Sequence, residues 1–314
     1  MNPRKENRFH PQNPLWYEDL PPRSSLIDED QHFDGACFNE DVTVVDENYL
    51  EISRESSFMR GIGVLSAIIW FSFLSVQVVP DIFRPDFAFF RPAPFVAVFG
   101  VCVLIGGTIA ALKLLYLDVR LPRNIPVRFN RKTQRIYAYD YVKPKYWFNL
   151  WHTEIKVYDW NCIEAEITKF SGSAGKTTVV KHELVLVVCR PQSNEVVDRI
   201  FLKGLDPAVP TLHEMWAGVR RFMQCGPNAV PGIETNIRET GFLYSLLAYM
   251  PYFLPGTIGR HHRETMRWYD YVLAFMSFWL FWIWLPLGVC RYIAGTCAPE
   301  PQWPAEIDAE SRSL

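Results

Sequence analysis

Long apolar runs alternate with polar stretches along the chain, and this alternation is the first structural signal in the sequence. The run from Gly61 to Val79 contains no charged residue and ends at Pro80, and a second run, from Pro94 to Leu117, carries one charge, Lys113. A helix of about 20 apolar residues crosses the roughly 30 Å hydrocarbon core of a bilayer. The two runs therefore predict a transmembrane helical hairpin over residues 58–118, with spans at 61–79 and 94–117.

A third apolar run, from Tyr271 to Val289, is also free of charge and is flanked by aromatic residues, as transmembrane helices are at the membrane interface. It predicts a C-terminal transmembrane helix over residues 269–292. Two prolines interrupt the weaker stretch from Gly241 to Ile258. Within the linker 227–268 we therefore expect this stretch to lie at the interface, with a fourth span or a re-entrant loop as alternatives.

The distribution of basic residues predicts the orientation of these spans, because cytoplasmic loops carry an excess of Lys and Arg. The stretch from Lys113 to Arg135 is strongly basic, whereas the connection from Pro80 to Ala93 balances two Arg with two Asp. We therefore expect the N-terminal arm and the region after the hairpin in the cytoplasm. The acidic tail, 293–314, is then expected in the periplasm of a bacterial inner membrane.

Between Pro126 and Gly226 the apolar residues alternate with a period of two, which is typical of half-buried strands. About six antiparallel strands followed by an amphipathic helix at 208–224 are predicted, in an element order that resembles the pleckstrin-homology-like roll over 119–226. The runs 42–45 and 49–52 predict a hairpin that joins a neighbouring sheet. The predicted fold class is thus membrane α plus soluble α+β.

Composition and charge narrow the function classes. The chain is 49% hydrophobic and 15% aromatic with a net charge of -2, which excludes a wholly disordered chain and a wholly basic nucleic-acid binder. We expect no nucleic-acid partner. From Ser24 to Ser53 the arm 1–57 has no Lys or Arg. It is either a solvated acidic arm or a docking surface for a basic partner, and the candidate binding residues there are Asp28, Glu29 and Asp30.

Several cysteines, glycines and histidines could suggest a catalytic or metal-binding site, but their spacing in the sequence does not match the known motifs. The seven cysteines contain no CxxC pair, and only Cys290 and Cys297 are close enough in sequence to suggest a disulfide bond. The stretch from Ser171 to Thr178 resembles a phosphate-binding loop but has Phe170 where the motif needs glycine, which favours a hairpin turn. Adjacent His261 and His262 lack a third ligand. We therefore expect no metal, no cofactor and no enzymatic activity.

The strand and turn sequence from Pro126 to Tyr137, followed by Val157–Trp160 and Ile163–Glu166, resembles an uncharacterised family of bacterial inner-membrane proteins. These proteins carry a membrane hairpin ahead of such a domain and are often encoded beside type VI secretion effector genes. The resemblance implies an immunity or effector-accessory role. It supplies no catalytic residue. It implies a tight turn after Asn130 and a position for Trp160 in the core.

The leading hypothesis is a non-enzymatic inner-membrane protein that contacts lipid and binds a protein partner, such as an effector toxin or a secretion component. Basic candidates for that contact are Arg128, Arg131 and Lys132. The small residues Gly106, Gly107, Ala110 and Ala111 on the second span suit packing between copies in a homo-oligomer. The alternatives are a membrane-active, channel-forming effector and a lipid-interface enzyme that uses His261 or His262.

Overall fold

The computed structural model divides the chain into two compact units. The β unit comprises Met1–Ser57, Asn124–Arg238 and Pro301–Leu314, and the helical unit comprises Phe58–Arg123 and Glu239–Glu300. The chain therefore leaves the β unit twice and returns to it twice. The structure describes residues 7–25, 42–54, 60–82, 94–123, 125–142, 145–146, 152–174, 177–206, 209–230, 241–255, 259–260, 263–264, 266 and 268–312.

The described residues form nine strands and eight α-helices, together with short 3₁₀ turns at Trp160–Cys162, Pro227–Ala229 and Pro251–Phe253 and a π-helical turn at Leu74–Val78. The strands are β1 Trp16–Asp19, β2 Val42–Val45, β3 Tyr49–Arg54, β4 Ile125–Asn130, β5 Arg135–Val142, β6 His152–Asp159, β7 Ile163–Ala174, β8 Thr177–Cys189 and β9 Val196–Asp206. The helices are α1 Ile62–Phe73, α2 Val79–Ile82, α3 Pro94–Arg120, α4 Val209–Cys225, α5 Phe242–Leu247, α6 Trp268–Trp279, α7 Phe281–Cys297 and α8 Ala305–Arg312.

The strands of the β unit form two antiparallel sheets that enclose the main apolar core. The strand orders are β1-β7-β8-β9 and β2-β3-β4-β5-β6. Alternate residues of each strand point into the core, such as Leu50 and Ile52 on β3 and Val127 and Phe129 on β4. The amphipathic helix α4 adds the buried side chains Leu212, Met215, Trp216, Val219 and Phe222.

Local predictions for the β unit are confirmed, whereas the roll with about six strands is wrong. The hairpin of β2 with β3 forms, α4 matches the predicted amphipathic helix, and Trp160 packs in the core against Trp216. However, β3 also pairs with β4 from Tyr49↔Asn130 to Arg54↔Ile125. The first half of the helical unit is thus the connection between two neighbouring strands, which periodicity cannot reveal.

The predicted arrangement of an N-terminal transmembrane hairpin and a C-terminal span is also wrong. By length and apolar composition, one helix among the described residues, Val98–Arg120, can cross a membrane, and Ile62–Val78 is shorter. The third apolar run is divided into two helices, Asp270–Trp279 and Phe281–Cys297, that meet at 82°. The break falls at Leu280, whose φ and ψ of -92° and 16° are not helical, whereas Pro286 lies inside α7. Hydropathy counts apolar residues and does not detect such a bend.

Helices α1 and α3 pack closely and satisfy each other's terminal backbone groups. The Asp118 carboxylate accepts hydrogen bonds from the backbone N–H groups of Gly61 and Val64 at 3.1 and 2.9 Å, at the amino end of α1. The Arg60 guanidinium donates to the carbonyl oxygens of Asp118 and Leu121 at 2.8 and 3.1 Å. These contacts replace the caps that the first N–H and last C=O groups of a helix require.

A polar cluster joins the edge of the five-stranded sheet to β9. The Lys156 ammonium contacts the carboxylates of Asp140 at 2.9 Å and Asp198 at 2.8 Å, and the Tyr158 hydroxyl donates to Asp198 at 2.6 Å. Burial acts to raise the pKa of Asp198, but the hydrogen bonds from Lys156 and Tyr158 outweigh it and lower that pKa below its ordinary value. The cluster therefore stabilises the folded state while Asp198 is ionised.

We predict that Gly63→Ala weakens the contact between α1 and α3. A Cβ atom there would overlap the backbone carbonyl of Leu114, and overpacking costs about 1–3 kcal/mol of unfolding free energy. The matched control is Gly106→Ala, because nothing lies within 4 Å of the added methyl group. Unfolding of both variants and the parent, measured on the full chain in detergent micelles, should show a loss in Gly63→Ala alone. Equal stability of the two variants would contradict the packing.

The pKa of Asp198 predicts a stability that depends on pH. Because this pKa is lowered by folding, its contribution is present above the unfolded value of about 3.9 and is lost as the pH falls through the folded value. Near neutral pH, Asp198→Asn should lower the Tm of the β unit by about 2–4 °C, as expected for ~1 kcal/mol in a folded unit of about 150–250 residues. The difference from the parent should shrink on acidification. The control is Asp159→Asn, whose side chain is 71% exposed. A pH-independent difference would refute this assignment.

Candidate functional site

The face of the five-stranded sheet that points away from the core carries charged and aromatic side chains in adjacent register positions. Glu51 on β3 lies opposite Arg128 on β4, and Arg128 lies opposite Tyr137 on β5. Tyr49 and Tyr139 share this face because side chains alternate along a strand. We call it the outer face. It is unlike a solvated sheet face, because Arg128, Tyr137 and Tyr139 are buried.

The end of the chain, Pro301–Arg312, covers the outer face, and we call these residues the C-terminal segment. Trp303 lies over the phenol ring of Tyr139, with the ring centroids 4.7 Å apart, and makes an edge contact with Tyr137 at 6.4 Å. The Tyr139 hydroxyl donates to the backbone carbonyl of Gln302. Aromatic contacts and a hydrogen bond from the Tyr139 side chain to the main chain thus fix the position of the segment before α8 begins.

Arg128 is the centre of this contact. Its guanidinium lies between the rings of Tyr49 and Trp303, 4.4 and 4.6 Å from their centroids. It is bound by Glu51 at 3.0 Å and by Asp308 of α8 at 2.9 Å, and its side chain is 4% exposed. The Trp303 indole N–H donates to the same Glu51 carboxylate at 2.9 Å. Charge, stacking and hydrogen bonds therefore all meet at one side chain.

Helix α8 adds three further hydrogen bonds with the outer face, through Glu310 and Ser311. The Glu310 carboxylate accepts hydrogen bonds from the Tyr137 hydroxyl at 2.7 Å and from the Arg135 guanidinium at 3.1 Å. The Ser311 hydroxyl is fully buried and accepts a long hydrogen bond, 3.4 Å, from the Asn130 amide. The side of α8 that faces the sheet therefore makes hydrogen bonds with Asn130 on β4 and with Arg135 and Tyr137 on β5.

The electrostatic environment keeps both buried phenols protonated. Burial, together with the hydrogen bond to Glu310, raises the pKa of Tyr137. Burial, followed by the negative charge of Glu51, raises the pKa of Tyr139. Both hydroxyl groups therefore act as hydrogen-bond donors toward the C-terminal segment rather than as bases or nucleophiles.

The outer side of the opposite sheet is covered in a comparable way by residues 7–13, which precede β1. Phe9 packs on Val187 and Cys189, and burial raises the pKa of the Cys189 thiol to about 11, so this thiol stays protonated. Beneath the same residues Glu166 is fully buried and binds Arg199 at 2.9 Å. Each end of the described chain thus covers a buried ion pair on one outer sheet face of the β unit.

The structure separates the three basic candidates. Arg128 lies under the C-terminal segment, whereas Arg131 and Lys132 follow β4 and line a shallow pocket of about 400 Å³ with Glu47, Asn48, Gln134, Met223 and Gln224. The predicted turn begins at Asn130, whose side-chain carbonyl accepts the Thr133 N–H at 3.0 Å. The candidates Asp28, Glu29 and Asp30, as well as His261 and His262, lie outside the described residues.

The structure also places the other sequence candidates that lie in the described chain. Ser171 and Gly172 belong to the long hairpin of β7 with β8, so the hairpin interpretation of the glycine-rich stretch is confirmed. Cys290 and Cys297 are free thiols. Of the small residues on α3, Gly107 faces Trp70 of α1, while Gly106 has open space beside it. Among the described residues no group of three or more His, Cys, Asp or Glu side chains could hold a metal ion.

Sequence reasoning missed most of the outer face. The signal was present in the alternation of β3, β4 and β5, where the positions between core residues are Glu51, Arg128 and Tyr137 instead of ordinary solvated residues. The complementary signal was Trp303, a large aromatic residue within an acidic tail. Neither the sequence of the strands nor the sequence of the tail shows that the two are in contact.

Comparison with known proteins identifies a family whose matched region includes both the outer face and the C-terminal segment. Residues 104–314 match the family of unknown function DUF6708, a span that begins within α3 and extends through β4–β9 to the C-terminal segment. The match covers more than half of the chain, so the protein belongs to this family. No curated protein and no solved structure matches the chain. The relation to type VI secretion loci is not addressed by these findings and stays a prediction.

We predict that Arg128→Met releases the C-terminal segment. The change removes the cation shared by Glu51 and Asp308, and breaking a buried ion pair costs about 3–5 kcal/mol. We expect the lower end because Asp308 is partly exposed and keeps its contact with Arg312. Hydrogen exchange should show faster exchange of the amides of residues 305–312. Arg131→Met is the matched control and should change neither the free energy of unfolding nor the amide exchange of residues 305–312. Retained protection in Arg128→Met would argue against Arg128 as the holding residue.

Proposed function

We propose that this protein is a non-enzymatic, membrane-attached binding protein, with the helical unit in contact with lipid and the β unit in contact with a protein partner. The observation that carries the proposal is the apolar surface of the helical unit. On α3 the side chains of Phe95, Val98 and Phe99 are 79%, 62% and 62% exposed. Contiguous exposed apolar surface of this kind marks a membrane or protein interface.

A lipid environment fits this surface better than a watery one. Helix α3 is long and apolar enough to cross a membrane, and exposed apolar residues occur along most of its length, including Val103, Ile105, Ile109 and Leu112. Because β3 and β4 pair with each other, the chain between them must enter and leave a membrane through the same face. The bent pair α6 and α7 exposes further large side chains, such as Trp268 at 79% and Trp282 at 73%. Burying these residues in hydrocarbon removes the unfavourable hydration of apolar surface.

The β unit restricts how the chain can be placed in a membrane. The C-terminal segment packs on Arg128 and Tyr137, so it lies on the same side of any membrane as the strands. This contact disagrees with a periplasmic tail and a cytoplasmic sheet domain. The bend between α6 and α7 is compatible with this placement, because two helices that meet at 82° can enter and leave a membrane through the same face.

Protein binding is supported by the construction of the outer face. A buried arginine between two aromatic rings, with phenol donors beside it, already holds an acidic helix in place. Arg, Tyr and Trp are the residues enriched in energetically dominant positions of protein interfaces. A bacterial inner-membrane location and an effector or secretion partner belong to the proposal through the sequence resemblance.

Membrane attachment is tested with Ile105→Lys, which puts a charge in the middle of α3. A lysine at the centre of a membrane helix costs about 2.5–3.5 kcal/mol on insertion scales. The parent chain should float with lipid vesicles in a density gradient and resist alkaline extraction from membranes. The variant should shift toward the soluble fraction, whereas Ile105→Leu should behave as the parent. A parent chain that stays unbound and forms oligomers in buffer would overturn membrane attachment.

A further inference from the structure

The C-terminal segment covers the outer face without taking part in the core between the sheets. Among the described residues, the buried core members come from the strands, α4 and nearby loops, and none lies in 301–312. The segment is held by ion pairs, hydrogen bonds and aromatic contacts through Trp303, Asp308 and Glu310. Its departure would leave the apolar core closed.

Helix α8 depends on the outer face for its order. It has eight residues, and isolated helices of this length are marginal in water. Glu306 and Asp308 in its first turn and Arg312 in its last turn complement the helix dipole. The segment can therefore lose its helix when it leaves and regain it when it docks, as a peptide ligand does.

The contacts define the chemistry that the outer face recognises. The indole of Trp303 fills the position between Arg128 and Tyr139. Five and seven residues further on, Asp308 and Glu310 meet Arg128 and Arg135. Any segment with an aromatic residue just before a helix that carries two acids at this spacing would make the same contacts.

We propose that the outer face is a binding site for an acidic helical segment of a protein partner, and that the C-terminal segment is an internal ligand which the partner displaces. The inference rests on the proposed protein-binding function and names the chemistry of the partner. Charge complementarity carries it, because the face supplies Arg128 and Arg135 and the bound helix supplies Asp308 and Glu310.

Tethering determines how strong the competition is. A segment joined to its own site acts at an effective concentration of about 1 mM when the linkage permits contact. A free peptide with a Kd of tens of micromolar would then bind the intact chain at least tenfold more weakly than a chain without the segment. This difference is the measurable sign of an internal ligand.

The test uses a chain that ends at Glu300, the intact chain, and a labelled peptide of residues 301–314 as the probe. We expect the shortened chain to bind the peptide at least tenfold more tightly than the intact chain. Arg128→Gln in the shortened chain should reduce binding at least tenfold, whereas Arg131→Gln should not change it. A peptide with Asp308→Asn and Glu310→Gln should also bind at least tenfold more weakly. Absence of peptide binding to a folded shortened chain would overturn the inference.

Thermal unfolding checks that the shortened chain is folded. If it is not, the intact chain carrying Trp303→Ala and Asp308→Asn replaces it, because these changes loosen the segment without removing it. The replacement should again bind the peptide more tightly than the parent does, and equal binding would overturn the inference. Oligomers of the intact chain that become monomers on shortening would identify a second copy as the occupant and would also overturn it.

The partner itself is tested by a photoreactive amino acid at Val157, which lies opposite Tyr137 and is 47% exposed. In cells we expect an adduct that maps to an acidic helix of another protein with an aromatic residue before its acids. The control position is the exposed Val197 on β9, where no such adduct should form. No adduct, or adducts that map to residues 301–312 of another copy, would overturn the inference.

The two proposals fail in different ways. A chain that does not float with vesicles but binds the peptide would lose the proposed membrane attachment and keep the outer face as a binding site. A chain that floats but binds no peptide would keep the membrane attachment and lose the internal ligand.

Discussion

The buried guanidinium of Arg128 is the constraint on which the arrangement of the β unit depends. A charge can be buried on a sheet face only if it is paired and covered. Glu51 on the neighbouring strand supplies one carboxylate, and Asp308 from the far end of the chain supplies the second. The cover must therefore return from the helical unit to the sheet, and it does so through Trp303.

This requirement connects the two segments in which the chain leaves the β unit for the helical unit, which we call the two excursions. The first half of the helical unit is inserted between β3 and β4, which carry Glu51 and Arg128 as direct neighbours. The second half precedes the C-terminal segment, which carries Trp303 and Asp308. The residues that meet around Arg128 therefore come from before the first excursion, from between the two, and from after the second. Arg128 is paired with both carboxylates and covered only when all three parts of the β unit are assembled.

The helices of the helical unit approach each other closely around a small apolar cluster that includes Val64, Cys290 and Ala294. Gly63 lets α1 reach the backbone of α3, and Gly288 lets α7 reach the backbone of α5. Asp118 and Arg60 complete the ends of α1 and α3. Many large apolar side chains of α3, α6 and α7 are exposed, and the proposed contact with lipid would bury them.

The sequence by itself determined the local elements of this protein. Period-two alternation identified the β region and the β2–β3 hairpin, and the apolar spacing of Leu212, Met215 and Trp216 identified α4, because these patterns depend on which face of one element is buried. The charge of Arg128 and the acids of the tail were also visible. Only the tertiary structure decided that β3 pairs with β4 across an inserted unit, that the third apolar run bends at Leu280, and that the tail returns to the sheet. Pairings between distant segments depend on chain closure and on the matching of faces, and hydropathy along a sequence carries no information about either.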